Sequence, residues 1–294
     1  RENLGINRVS GIEFQLMYQD HAGSFHYSIA PNASFLRTKV LFEDEVYRPY
    51  PWMQRTGKPV GQPYGYIAEG LFQSQAAIDA SARPAGYSPV PGDIRYKDLN
   101  GDSIVNSDDK TILGNGLPKY IFGFNLSMKY KMFDLTVFLN GQAGVQIANM
   151  TKAYLYNMRF FGGTGIVNGS TDLLNSWHGE GTSNVMPRNS YDAPGSNRYF
   201  SSYYIENGAF VRIRNLQVGY TLPSKWFRNV GLSKGRIYIS AQNLYTFTKY
   251  SGYDPEVGSS NVNLSTNQSP LTSGVDYGRY PTPRIFLVGI NLQF

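Results

Sequence analysis

Residues 284–294 (RIFLVGINLQF) constrain the chain more than any other stretch. Phe286, Val288, Ile290, Leu292 and Phe294 make an unbroken apolar row at a spacing of two. Ile285, Leu287, Gly289, Asn291 and Gln293 fill the other row, which becomes small and polar toward the end. A period of two places the rows on opposite faces of a β-strand. The length is informative too, since about 9–11 tilted residues carry a strand across a bilayer's hydrocarbon core. An edge strand of a soluble β-sandwich has the same alternation, so the remaining sequence has to decide between the two.

Six further strands carry the same alternation. In residues 6–19, Ile12, Phe14, Leu16 and Tyr18 alternate with Glu13, Gln15 and Gln19. A turn at 20–23 leads to residues 24–42, where Pro31 lacks a ladder donor and predicts a bulge or irregularity. Residues 120–130 and 133–141 form a hairpin about Lys131 and Met132. In residues 211–222 the apolar phase shifts from Val211 and Ile213 to Leu216, Val218, Tyr220 and Leu222, which predicts one extra residue, a β-bulge, near Asn215. Residues 236–248 alternate again. Between these seven strands, short turns at 20–23, 131–132 and 223–234 alternate with long irregular stretches at 43–119, 142–207 and 249–283. The last short turn has an interfacial composition, with Trp226 and Phe227 beside Lys225 and Arg228. Residues 75–82 predict a short helix inside the first long stretch.

A soluble sandwich has no reason to gather every long loop at one end, whereas an outer-membrane barrel does so. The expected fold is therefore all-β: an antiparallel transmembrane barrel with its C-terminus on the periplasmic side and residues 43–119, 142–207 and 249–283 as extracellular loops. Composition agrees. Charged residues are 16% and aromatics 15% of the 294 residues, with 23 Tyr, 17 Phe and 31 Gly, where about 25% charged residues is usual. No run reaches the roughly 18 apolar residues of a membrane helix. Seven strands do not close an even-numbered barrel, and the sequence opens at Arg1 without Met or a leader pattern. The expectation is the last part of a longer chain. With no cysteine, disulfides and thiolate metal sites are excluded. The 27 Lys and Arg are dispersed, which leaves nucleic acid no basic patch to bind.

One stretch carries coordination chemistry. Residues 98–109 read DLNGDSIVNSDD. On the twelve-residue calcium loop, Asp98 falls at position 1, Asn100 at 3, Asp102 at 5, Ile104 at 7 through its carbonyl, Asn106 at 9 and Asp109 at 12. Hard Ca²⁺ takes oxygen donors, and alternate residues of a tight loop deliver them to one centre. Ser103 replaces the turn glycine at position 6, and Asp109 the longer glutamate at position 12, as in dockerin-type loops. A solvated acidic turn has the same composition. His21, His26 and His178 have no partner at metal-ligand spacing and are read as incidental. No G-x-S-x-G elbow occurs, and the glycines of 161–165 lack the context of a phosphate loop. Tyr64, Tyr66, Tyr154, Tyr156, Trp177, Tyr203 and Tyr204 either stack on a ligand or simply pack.

Together these residues resemble a known family. PGDIRYKDLNGDSIVNSDDKTILGNGLPKYIFGFNLSMKYKMFDLTVFLNGQAG (91–144), GQPYGYIAEGLFQ (61–73), VRIRNLQVGYTLPSKWF (211–227), ISAQNLYTFTKYSGYDPEV (239–257) and YPTPRIFLVGINLQF (280–294) are similar to segments of the SusC/RagA outer-membrane transporters of Bacteroidetes. The likeness runs in order along nearly the whole chain and corresponds to the C-terminal part of a family member. It implies a 22-stranded barrel with a plugged lumen, the plug and TonB box lying outside these residues. It further implies TonB-dependent import of an oligosaccharide or peptide, a SusD-like lipoprotein as lid, contact with outer-membrane lipid, no covalent chemistry and a structural calcium loop. The competing expectation is a secreted, calcium-stabilised carbohydrate-binding β-domain.

Overall fold

A computed structural model describes residues 5–156, 168–189, 196–226, 231–258 and 273–294. Seven antiparallel strand positions lie side by side in chain order. The first is split into Gly5–Gln15 and Tyr18–Ala22, and both pieces pair with Phe25–Glu43. Then follow Tyr120–Tyr130, Phe133–Ala143, Phe210–Thr221, Lys234–Thr248 and Ile285–Gln293. The break in the first position faces Pro31. Leu16 N–H donates to the Pro31 carbonyl at 3.1 Å, but proline has no N–H to return. Gln15 faces Asn32 on one side of the break and Tyr18 faces Ile29 on the other, so the register runs through unchanged. The irregularity expected at Pro31 is thus a gap in the ladder, without a bulge.

The phase change in the fifth position is a bulge at Arg214. Phe138 faces Asn215, and the next residue, Leu139, faces Ile213. The neighbouring strand gives way at the same level, where Asn243 takes φ 51°, a conformation asparagine tolerates better than most residues. Because of the bulge, Val211 and Ile213 share a face with Leu216, Val218 and Tyr220.

The registers align like faces across the whole sheet. One cross-strand row reads Ile29, Leu126, Val137, Leu216, Ala241, Phe286, and the next Tyr27, Met128, Leu135, Val218, Ile239, Val288. This face is open: Val288 is 76% and Ile239 60% exposed. Its apolar rows end in aromatics, with Phe25, Tyr130, Phe133 and Tyr220 toward the short turns and Phe35 and Tyr120 toward the long loops. The opposite face is largely polar, as in the row Ser28, Ser127, Thr136, Gln217, Ser240. There Gly219 leaves room for Arg236 to reach Asp134 over it, Nε to Oδ1 at 2.9 Å, where a Cβ would collide with both side chains.

The long loops hold most of the buried core. Tyr66, Leu71, Ile94, Tyr96 and Val105 form a cluster against which Trp177, Tyr199 and Tyr203 of the second long loop pack. The helix expected at 75–82 is Gln75–Asp79, capped by the Ser74 hydroxyl, which accepts from Ala77 N–H at 3.3 Å. It ends at Asp79, and the chain then enters a short strand, Arg83–Pro84, paired with Ile104–Val105. A three-stranded sheet joins Gln146–Asn149 to Ile205–Asn207 and Val275–Asp276, so the second and third long loops share a sheet. Among the described residues no helix is long and apolar enough to cross a membrane.

Candidate functional site

Residues 98–109 fold back on their own backbone. Asp98 accepts from Gly101 N–H at 2.7 Å on one oxygen and from Ser103 N–H at 2.8 Å on the other. Asn100 Oδ1 accepts from Asp102 N–H at 3.0 Å, and Asp102 Oδ1 from Ile104 N–H at 2.8 Å. Asn106 caps the turn Ser107–Asp109 by accepting from Asp108 N–H at 2.7 Å. Asp109 is fully buried and accepts from Leu99 N–H at 2.7 Å and Asn106 N–H at 2.8 Å. The Ile104 side chain points outward, while the carbonyls on either side of it, those of Ser103 and Val105, accept from Arg83 and Ala85. The loop is also strapped to a neighbouring segment: Trp52 Nε1 donates to the Asp108 carbonyl at 2.8 Å, and the Asn100 amide to the Tyr50 hydroxyl at 3.3 Å.

Every donor in this loop is oxygen, and a carboxylate oxygen holding one N–H keeps a second lone pair for a cation. The donor set fits a hard ion, with amide oxygens beside the carboxylates. Counting His, Cys, Asp and Glu alone, no group of three forms a metal cluster among the described residues. Ser103 has φ 67°, the left-handed geometry that favours the absent glycine. Ser103→Gly is therefore expected to stabilise the loop by about 1 kcal/mol. A thermal melt of the variant checks this, and a lowered midpoint would contradict it.

Three polar hubs bind the loops together. Asp93, almost fully buried, accepts from Arg188 Nε at 2.7 Å, from the Asn197 amide at 3.1 Å and from Val90 N–H at 3.0 Å, with Tyr87 on its second oxygen. It joins the first long loop to the second. Glu206 joins the second to the third: it accepts from Ser251 N–H at 2.9 Å, the Ser251 hydroxyl at 2.8 Å and the Asn149 amide at 3.2 Å, with Lys152 Nζ at 3.3 Å. Arg212 ties the third loop to the sheet through Asp254 at 2.5 Å and Glu256 at 2.7 Å.

Burial is the largest single influence on Glu206 and pushes its pKa up. The Ser251 hydrogen bonds, the Lys152 charge and the Asn149 amide together outweigh it and hold the carboxyl below its ordinary value of 4.5. A depressed folded-state value means the stabilisation is complete above the ordinary value and is lost as pH falls through the folded one. Hydrogen exchange at the Ser251 amide, corrected for intrinsic rate, should show protection near neutrality that disappears in that acid window. Protection independent of pH would sink the prediction.

The loop aromatics divide clearly. Tyr66 and Tyr204 are buried, and Trp177 donates to Gln73 Oε1 at 3.1 Å while packing on the core. Tyr203 is half-buried, Tyr64 lies under Arg48, and Tyr156 donates to Asp172 at 2.6 Å. Of the seven, Tyr154 alone is exposed, and Tyr253 and Tyr277, which the sequence did not single out, are exposed too. The glycines of 161–165 and Phe227 lie outside the described residues. His21 and His26, read as incidental, stand directly opposite each other.

No family model matches the chain. It is 32% identical over its whole length to the TonB-dependent receptor P3 of Formosa agariphila, of which it covers 29%. It is 27% identical to the TonB-dependent receptor SusC of Bacteroides thetaiotaomicron, over 78% of this chain and 20% of SusC. The fold superposes on a solved structure of the RagAB peptide transporter with a TM-score of 0.73 at 21% identity, covering all of this chain and 30% of that one. The chain spans less than a third of the length of the relatives it matches.

Proposed function

Because this chain is part of a SusC/RagA-like TonB-dependent transporter, we propose that it forms a section of an outer-membrane barrel wall together with loops that receive a nutrient for import. The observation that carries this reading is the apolar face running through all seven strand positions. From Tyr120 to Tyr130 the strand covers roughly 33 Å, which a barrel's tilt of about 35–45° reduces to about 25 Å, the height of an outer-membrane apolar band. Aromatics at both ends match the interfacial girdles. The short turns then lie on the periplasmic side with the C-terminus, and the three long loops face outward.

In this reading the polar face lines the lumen, and the loop assembly held by Asp93, Glu206 and Arg212 meets a SusD-like lipoprotein lid. The TonB complex acts through a plug outside these residues, and the substrate is moved without covalent change. The substrate class is an oligosaccharide or a peptide. The likeness to the RagAB peptide transporter supports a peptide, while exposed Tyr154, Tyr253 and Tyr277 suit sugar rings equally well. Asp98, Asn100, Asp102, Asn106, Asp109 and the Ile104 carbonyl would hold Ca²⁺, whose charge would stiffen the first long loop. Titration calorimetry on the chelator-treated protein should give Ca²⁺ heat that Asp98→Asn abolishes; no heat in the parent protein would remove calcium from the account.

The test of transport is uptake of labelled oligosaccharides and peptides by cells carrying the whole transporter and its lipoprotein. Uptake should stop when TonB is deleted, and uptake indifferent to TonB would refute the proposal. A secreted carbohydrate-binding domain, the competing reading, would stay monodisperse without detergent.

A further inference from the structure

We propose that His21 and His26 form a two-imidazole site for a borderline divalent transition metal, Cu²⁺, Ni²⁺ or Zn²⁺, on the polar face at the short-turn end of the first hairpin. The hairpin closes through Gly23 and Ser24, with Gly23 at φ 60°, and Ala22 stands opposite Phe25. In an antiparallel ladder, hydrogen-bonded and non-hydrogen-bonded pairs alternate. Leu16 N–H bonds to the Pro31 carbonyl. Counting from that pair through Tyr18–Ile29 and Asp20–Tyr27, Ala22–Phe25 is hydrogen-bonded and His21–His26 is not. Side chains come closest across a non-hydrogen-bonded pair, with Cβ atoms about 4.5–5.5 Å apart. The two rings are stacked with centroids 5.5 Å apart and planes 18° from parallel.

The surroundings are polar and carry charges of both signs. The rings line an open depression of about 340 Å³ with Gln19, Ser28, Ser127 and Lys129. The Asp20 carboxylate is 4.0 Å from His21 Nδ1 and is held in place by the Tyr18 hydroxyl at 2.9 Å. Lys129, opposite His26, has Asp134 on its other flank. Imidazole nitrogens select Cu, Ni and Zn over hard Ca²⁺ or Mg²⁺, with Cu²⁺ bound most tightly. The protein supplies two positions, and water fills the others. The i, i+5 spacing becomes chelating only because the intervening turn has two residues.

The test uses the whole transporter, purified in detergent without a polyhistidine tag and stripped with chelator. Titration with Cu²⁺ should fill one site whose electron paramagnetic resonance spectrum shows coupling to two nitrogens. Within these residues His178, in the second long loop, can contribute only one, and the variants below separate the pair from histidines elsewhere in the transporter. His21→Gln and His26→Gln should each weaken binding by more than the roughly 10–100-fold that losing a group one step outside a metal costs. A single-nitrogen spectrum in the unaltered protein overturns the proposal without recourse to variants. Unchanged affinity in either variant overturns it as well.

Discussion

Arg212→Met is expected to destabilise the third long loop by about 3–5 kcal/mol, the cost of breaking a buried ion pair by removing one partner. Arg212 is 2% exposed and its main partner, Asp254, 4%. Its Nε also donates to the Thr246 hydroxyl at 2.8 Å, so all three guanidinium nitrogens have partners on two segments. Without it, Asp254 keeps the amides of Glu256 at 2.9 Å and Thr282 at 3.0 Å but stays buried with no cation. Arg214 still holds Glu256 at 3.1 Å, which is why the loss should centre on Asp254. Burial, the largest influence there, raises the Asp254 pKa; the two amides, Arg212 and the Thr282 hydroxyl overcome it and hold the carboxyl low. The variant should therefore let that carboxyl rise. Hydrogen exchange at Glu256 and Thr282 is the direct readout, and protection equal to that of the parent protein would contradict the prediction. Arg212→Lys keeps the charge but not the fork and should fall between the two.

Leu126→Arg is expected to cost about 2–4 kcal/mol in the membrane-inserted state, the penalty for a cation at the bilayer midplane on the lipid face of a barrel. Leu126 lies midway along Tyr120–Tyr130, between Ile29 and Val137 on the apolar face. Ser127→Arg, one residue on, points to the polar face beside Ser28 and Thr136 and should be nearly neutral. Folding efficiency of the whole transporter into lipid vesicles, read by heat-dependent gel mobility, separates the pair. Equal behaviour of the two variants would mean that no lipid contacts the apolar face.

The sheet was legible in the amino-acid order because alternation is a local property. A period of two assigns each residue a face before any partner is known, so the seven strands, the bulge later located at Arg214 and the trouble at Pro31 could all be read from chain neighbours. The tight turn of residues 98–109 was legible for the same reason: the hydrogen bonds within it span two to ten residues. What the loops do was not legible. Asp93 meets Asn197 across 104 positions, and Arg212 meets Asp254 across 42. No periodicity records which distant segment will cover a polar group. Loop aromatics look the same in sequence whether they face water or a core, so only packing showed that Tyr66, Tyr204 and Trp177 are held inside and Tyr154 is not. His21 and His26 fall between these cases: five residues apart in sequence, they become a pair only once the turn length has set the register. Local pattern determined the strands and their faces, while the closure of distant contacts, each carrying its own loop entropy, was decided by the tertiary structure.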